Sequence, residues 1–502
     1  MVDGDLAIKA LPDDVLLQIF SLFNPRGHAD KLMPPETWEW HKFAHVCQRW
    51  RRLVFEFPRY LGLALVTGRW GRRCVRTLDC WPALPIAIQH ETSGALSPEN
   101  EDDVIAGLKH SERIYEIKLP FSYRFLEKSA TLAWSFPQLE RLEIISAYNL
   151  YGTHQVPRGF LGGSTPTSHK LRHIELVRVT FPSLPQLLWS NRKLVYLYLG
   201  REVLIGEEYI PSDVLASSLS AATQLEYLHV YPGSLTSNLQ QRRTHSASSA
   251  AVSPDIVLLP SLVDMDFLGP NEYVEGLVSR FHAPLLHQIR VGISPQGARP
   301  LDLPELCQFL SKSECLRSLP FQTSISIDER GFEIVHDFGP SPPRRSISLN
   351  ISFYPHEPWD VSRVVHFSRQ LSPLMSGVKR LTIQTNGMPP SLLDESDTAR
   401  WLQLFMPFNG AQEVQVCNVR RSYDGIANAL HESTVLRQEV FPALRILWLC
   451  GFGKKIPQGI KSFVSERQRT RKTVTVLPST NRRRNGSESD VESLCYTVTN
   501  TG

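Results

Sequence analysis

Leu171-Arg172-His173-Ile174-Glu175-Leu176 places apolar side chains at its first, fourth and sixth positions. The same spacing occurs at Val75-xx-Leu78-x-Cys80, Ile114-xx-Ile117-x-Leu119, Leu139-xx-Leu142-x-Ile144, Leu194-xx-Leu197-x-Leu199 and Leu225-xx-Leu228-x-Val230. It continues at Leu262-xx-Met265-x-Phe267, Leu286-xx-Ile289-x-Val291, Leu316-xx-Leu319-x-Phe321, Val378-xx-Leu381-x-Ile383, Ala411-xx-Val414-x-Val416 and Leu444-xx-Leu447-x-Leu449. One hexad says little, because apolar residues are abundant. A dozen at comparable spacing imply one strand per unit, each burying its apolar side only against its neighbours. Ile347-Ser348-Leu349-Asn350-Ile351 alternates cleanly and supplies a strand in the widest gap. Tyr60-xx-Leu63-x-Leu65 and Val474-x-Val476 suggest further strands at either end.

The segments between hexads carry helical patterns. Residues 98–108 hold Glu99, Glu101, Asp102 and Asp103 near the positive end of a helix, with Ser97 as its cap. Val214–Ala222, Leu306–Leu310, Val364–Met375, Trp401–Met406 and Ile426–Val440 offer more apolar faces. Strand and helix in repeated alternation predict an α/β fold with a parallel sheet on one side of a curved stack. The array resembles leucine-rich repeats. Its periods are irregular and mostly exceed the usual ~20–29 residues, and the asparagine common after the strand is missing. It is similar to the variable repeats that often follow the module described next. Residues 233–254, with Gln240-Gln241-Arg242-Arg243, read as a mobile insertion, and residues 479–502 as a disordered tail.

Ahead of the array lies Leu11-Pro12-Asp13-Asp14-Val15-Leu16-Leu17-Gln18-Ile19-Phe20. Pro12 suits a helix start, where its missing N–H costs nothing. Asp13 and Asp14 favour the positive helix end. Leu16, Ile19, Phe20 and Phe23 follow one helical face, widened by Val15 and Leu22. Phe43, Val46, Cys47, Trp50, Leu53, Val54 and Phe57 repeat as a second amphipathic helix, whose other face is Lys42, His45, Gln48, Arg49, Arg51 and Arg52. Residues 1–57 thus read as a small helical module with a marginal core.

Leu-Pro-Asp-Asp-Val-Leu-Leu-Gln-Ile-Phe at 11–20, followed by Val-Cys-Gln-Arg-Trp-Arg-Arg-Leu at 46–53, resembles an F-box. The resemblance covers about a tenth of the chain, and the segment between the halves, with Pro34-Pro35, Trp38 and Trp40, is longer than usual for the family. F-box modules dock on the Skp-family adaptor of a cullin–RING ubiquitin ligase. The resemblance therefore implies that Leu11, Pro12, Val15, Leu16, Ile19, Val46, Cys47, Trp50 and Leu53 face the adaptor or fill the module core. It also implies that residues 58–478 present a protein target to that machinery, so that this chain supplies proximity rather than catalysis.

Because strand side chains alternate, the residue between the last two apolar positions of each hexad should face the open side of the sheet. Those residues are Lys118, Glu143, Glu175, Tyr198, His229, Asp266, Arg290, Pro320, Thr382, Gln415 and Trp448. Mixed charge beside Tyr and Trp suits a protein-binding surface, with Tyr198 and Trp448 as anchors.

Other chemistries find little support. A formal charge of +4 over 502 residues is nearly balanced and does not suggest a nucleic-acid or membrane surface. Eight scattered cysteines without a CxxC pair fit free thiols in a cytoplasmic or nuclear setting. His41 and His45 share a helical face but lack a third ligand, so no metal or cofactor is expected. Gly159–Ser164 lacks a phosphate-loop lysine, and no GxSxG occurs. Two rivals stand beside the receptor reading: a scaffold acting without the ligase, and a nucleic-acid contact through Arg482-Arg483-Arg484.

Overall fold

The computed structural model describes residues 11–22, 40–57, 65–67, 85–89, 98–121, 125, 135–146, 154–156, 161, 170–200, 204–205, 208–232, 256–293, 302–312, 322–328, 331–337, 346–352, 361–386, 398–417, 423–436, 439–450 and 456–479. They form two compact units, residues 1–197 with 202–209, and residues 198–201 with 210–502. The fold is mixed α/β, with an N-terminal helical region and a large, mostly parallel sheet. The hexad at 316–321 falls outside the described residues, as do residues 75–80, the insertion at 233–254 and residues 480–502 of the tail.

The first unit opens with three helices, α1 (Asp13–Leu22), α2 (Trp40–Val46) and α3 (Gln48–Glu56). Strands β1 (Leu65–Thr67), β2 (Ile86–Gln89), β3 (Ile114–Phe121), β4 (Arg141–Ser146) and β5 (His173–Val177) then pair in parallel, each with the next. Helix α4 (Pro98–Leu108) connects β2 to β3, and α5 (Leu184–Ser190) follows β5. The fourth and sixth hexad positions, Ile117, Leu119, Leu142, Ile144, Ile174 and Leu176, are all essentially removed from solvent. At about 1.5–3 kcal/mol for each large apolar side chain fully buried, they hold the strands in register.

Strand β6 (Tyr196–Leu199) carries the next hexad. The second unit continues with β7 (Tyr227–Val230), β8 (Asp264–Gly269) and β9 (Gln288–Ile293), parallel and in direct register. Helices α6 (Ser212–Ser218), α7 (Asn271–Val278) and α8 (Pro304–Lys312) pack in succession, α6 on α7 and α7 on α8. The links between neighbours are specific. Tyr273 on α7 donates its hydroxyl proton to the Ile210 carbonyl (2.9 Å). The Glu275 carboxylate accepts from the backbone N–H groups of Glu305 and Leu306 (both 2.9 Å), capping the first turn of α8.

Here the regular parallel pattern expected from the hexads fails. Strands β10 (Gln322–Asp328), β11 (Gly331–Asp337) and β12 (Ser346–Ser352) form an antiparallel meander. It is inserted in reverse, so that the spatial order is β9, β12, β11, β10, then β13 (Arg380–Asn386). Within this part of the sheet, among the described residues, only β11 runs against its neighbours; β9 with β12 and β10 with β13 remain parallel. Two residues separate β10 from β11, whereas parallel pairing needs a crossover of about a dozen or more, so these strands pair antiparallel. Ile325, Ile334 and Ile347 keep the buried side continuous through the inversion.

The parallel pattern resumes through β13, β14 (Glu413–Cys417), β15 (Ile446–Cys450) and β16 (Thr475–Ser479). Helices α9 (Val361–Gln370), α10 (Ser372–Met375), α11 (Thr398–Phe405), α12 (Tyr423–Val435) and α13 (Gln458–Arg469) lie in the connections. Helix α12 packs on both α11 and α13. Gly459 permits the second contact: a Cβ there would stand 2.5 Å from the Ala427 carbonyl oxygen. Arg467 of α13 is buried and donates to the Val440 and Pro442 carbonyls (3.4 and 3.0 Å), tying the helix to the loop before β15.

Candidate functional site

The N-terminal module is built around one ring cluster. Phe20, nearly buried, stacks on Phe43 at 4.8 Å between centroids and meets the edge of Trp50 at 4.8 Å. Leu16, Ala44, Leu53 and Val54 are buried with it. Asp13, which the sequence suggested only as a helix-dipole partner, also fastens α1 to α3. Arg49 Nε donates to its Oδ1 at 2.7 Å, and Arg52 approaches its Oδ2 at 3.2 Å. Arg49 also donates to the Leu11 carbonyl at 2.5 Å.

The expected single helix over residues 43–57 is broken at Cys47, whose backbone is extended (φ −159°, ψ 169°). Its sulfur accepts the Trp50 N–H at 3.5 Å and caps α3. The break turns Val46 and Cys47 outward, so both are exposed rather than on a buried face, and Val46 retains 58% of its accessible surface. Leu53 is core; Leu11, Val15, Ile19 and Trp50 are half-buried; Pro12 is exposed. Leu22 and Phe57 are also exposed. The module thus presents separate apolar side chains around a closed core.

On the sheet, register lines up the open-face residues named from the hexads. Lys118, Glu143 and Glu175 are successive partners across β3, β4 and β5. In the second unit His229, Asp266, Arg290 and Ser348 align across β7, β8, β9 and β12. Ser324, Thr382, Gln415, Trp448 and Leu477 do so across β10, β13, β14, β15 and β16. Pro320 lies outside the described residues. Two members depart from the expected exposure. Glu143 is 3% exposed, ion-paired to Lys118 at 2.5 Å, and Thr382 is 5% exposed. Gln415 is turned to the Cys450 sulfur, to which its amide donates at 3.0 Å, and Trp448 is half-buried.

In the first unit the face also carries His173, whose ring stacks flat on Tyr196 at 4.2 Å, and Glu116, which accepts from Gln89 at 2.9 Å. In the second unit the densest group is Tyr198, His229, Tyr231, Asp264, Asp266 and Arg290. Arg290 Nε donates to Asp266 at 2.7 Å, while its other arm reaches Asp264 only at 3.4 Å. Burial pulls the Arg290 pKa down, yet the two carboxylates outweigh it and hold the guanidinium firmly charged. Burial, followed by the Asp266 carboxylate, pushes the Tyr231 phenol well above its ordinary value. Tyr198 meets the edge of Tyr231 at 5.2 Å. The hexads pointed to Tyr198, His229, Asp266 and Arg290 but missed Tyr231, which follows the strand, and Ser348, which lies in the inverted meander. Extending the alternation one residue beyond each hexad finds the first of these.

Among the described residues no group of three His, Cys, Asp or Glu side chains could hold a metal, and no helix is long and apolar enough to cross a membrane. The Cys417 thiol on β14, beside Cys450 on β15, is unsuited to nucleophilic attack. The hydrogen bond with Cys450, together with burial, raises the Cys417 pKa and disfavours its thiolate.

Compared with known families, residues 8–58 match the F-box-like family model. No curated protein matches the chain.

Proposed function

We propose that this chain is the substrate-recognition subunit of a Skp/cullin/F-box ubiquitin ligase. Residues 8–58 dock on a Skp-type adaptor, and the open face of a leucine-rich-repeat-like solenoid holds a target protein. The observation that carries this reading is the F-box-like match on a helical module whose ring core is closed and whose apolar Leu22, Val46 and Phe57 stay exposed. The sheet adds the second surface, with Tyr, Trp and Arg interspersed among carboxylates.

The adaptor contact is tested on an exposed side chain, so that folding is not at stake. Val46→Asp should lower co-purification of a Skp-family adaptor more than about tenfold, the effect of burying an unpaired charge in an interface. Amide hydrogen exchange over residues 40–57 should stay as in the unsubstituted chain. Undiminished adaptor recovery with Val46→Asp, and likewise with Leu22→Asp, would remove the docking assignment.

A further inference from the structure

The open face of β7, β8 and β9 has a charge surplus beside exposed apolar side chains, and this indicates what it accepts. Alternation puts Tyr227, His229 and Tyr231, then Asp264, Asp266 and Leu268, then Gln288, Arg290 and Gly292 on this face. Tyr227 and Leu268 remain 38% and 42% exposed. Leu268 lies over Gly292, where a Cβ would stand 2.5 Å from its Cδ1. Large apolar side chains left open around a polar centre mark a contact surface.

The polar centre is not neutral. Arg290 gives its short hydrogen bond to Asp266 and stands farther from Asp264, so that two carboxylates share one guanidinium. Tyr227 is the register partner of Asp264 on one side and Gln288 on the other. A partly accessible carboxylate beside an exposed phenol ring is complementary to a cation that also stacks, and a guanidinium does both. Burial raises the Asp264 pKa despite Arg290 and His229, consistent with a carboxylate that gains from a further positive partner. An anion such as a phosphate meets the opposite situation. Arg290 is already engaged by two carboxylates, and His229, the other basic side chain these strands present among the described residues, acts on Asp264.

We infer that the Tyr227–Asp264 pair on the open face receives an arginine side chain of the target, so that this surface reads basic rather than phosphorylated segments. The inference rests on the receptor reading above and names the chemistry of its target.

The test uses the full chain and immobilised peptide pools with randomised flanks. The pools are identical except for a fixed central arginine, citrulline or phosphoserine. Retention on the arginine pool should exceed that on citrulline by about three- to tenfold, the effect of one exposed ion pair with a stacked cation. Asp264→Asn should abolish the difference. Arg290→Gln should widen it, because it frees both carboxylates, and a residue acting only through folding would not produce opposite signs. Equal retention on arginine and citrulline, preference for phosphoserine, no retention on any pool, or an arginine preference that survives Asp264→Asn would each overturn the assignment. The receptor reading is judged separately, by adaptor recovery with Val46→Asp, and stands if only the arginine preference fails.

Discussion

Phe20→Ala is expected to melt the N-terminal module while the sheet stays folded. Phe20 is the ring that both Phe43 and Trp50 touch, at 4.8 Å each. Truncating a buried phenylalanine costs about 3–5 kcal/mol, through lost transfer energy and the cavity left behind. A core this small holds only about 3–5 kcal/mol in reserve. Amide protection over residues 13–22 and 40–56 should fall to near the unfolded level, and adaptor recovery should fall with it. Phe20→Leu keeps most of the volume and should retain much of both. Protection that persists in Phe20→Ala would show that the ring cluster does not hold the module together. Set beside Val46→Asp, which should lose the adaptor but keep protection, the pair separates folding from docking.

The second large effect lies in the loop before β15. Phe441 is buried, its ring 5.1 Å from Phe405, yet its backbone sits in the left-handed region with φ +51°. Phe441→Ala should lose about 3–5 kcal/mol of local stability. The backbone makes the glycine substitution informative. In regular structure glycine is about 0.5–1 kcal/mol worse than alanine, whereas a left-handed conformation costs an L residue about 1–2 kcal/mol that glycine escapes. Phe441→Gly should therefore be no less stable than Phe441→Ala, read from hydrogen exchange over Ile446–Cys450. A glycine variant clearly weaker than the alanine variant would remove the argument from backbone strain.

The hexads reveal the parallel strands because each needs two inward apolar residues at a spacing of two, a pattern that survives without knowledge of neighbours. Strand β2 escaped because Ile86-Ala87-Ile88 is buried on both sides and does not alternate. The β10–β11 hairpin escaped because Gln322–Asp328 alternates Ser with Ile outside any hexad, with Thr323 on the buried side. Its reversed insertion depends on pairing between distant strands, which periodicity cannot encode. Helix α7 was hidden by starting at Asn271, immediately after a strand and Pro270. The break at Cys47 was invisible because the apolar spacing continues through it, and only the sulfur cap reveals the corner. On the open face, the hexads named residues that strand register aligns. They could not show that Glu143 would be covered by its ion pair, or that Asp264, outside the hexad's last two positions, would share Arg290 with Asp266.

The reversed meander also sets the order in which the protein can be made. Elsewhere in the second unit's sheet, a newly synthesised strand can lie against one already present. Here β9 is complete at residue 293, but its partner begins at residue 346. At about 5–20 residues per second on the ribosome, the growing edge of β9 stays open for ~3–10 s while residues 294–345 emerge. The last strand of the meander to leave the ribosome, β12, closes that edge, and the first, β10, becomes the template for everything after it.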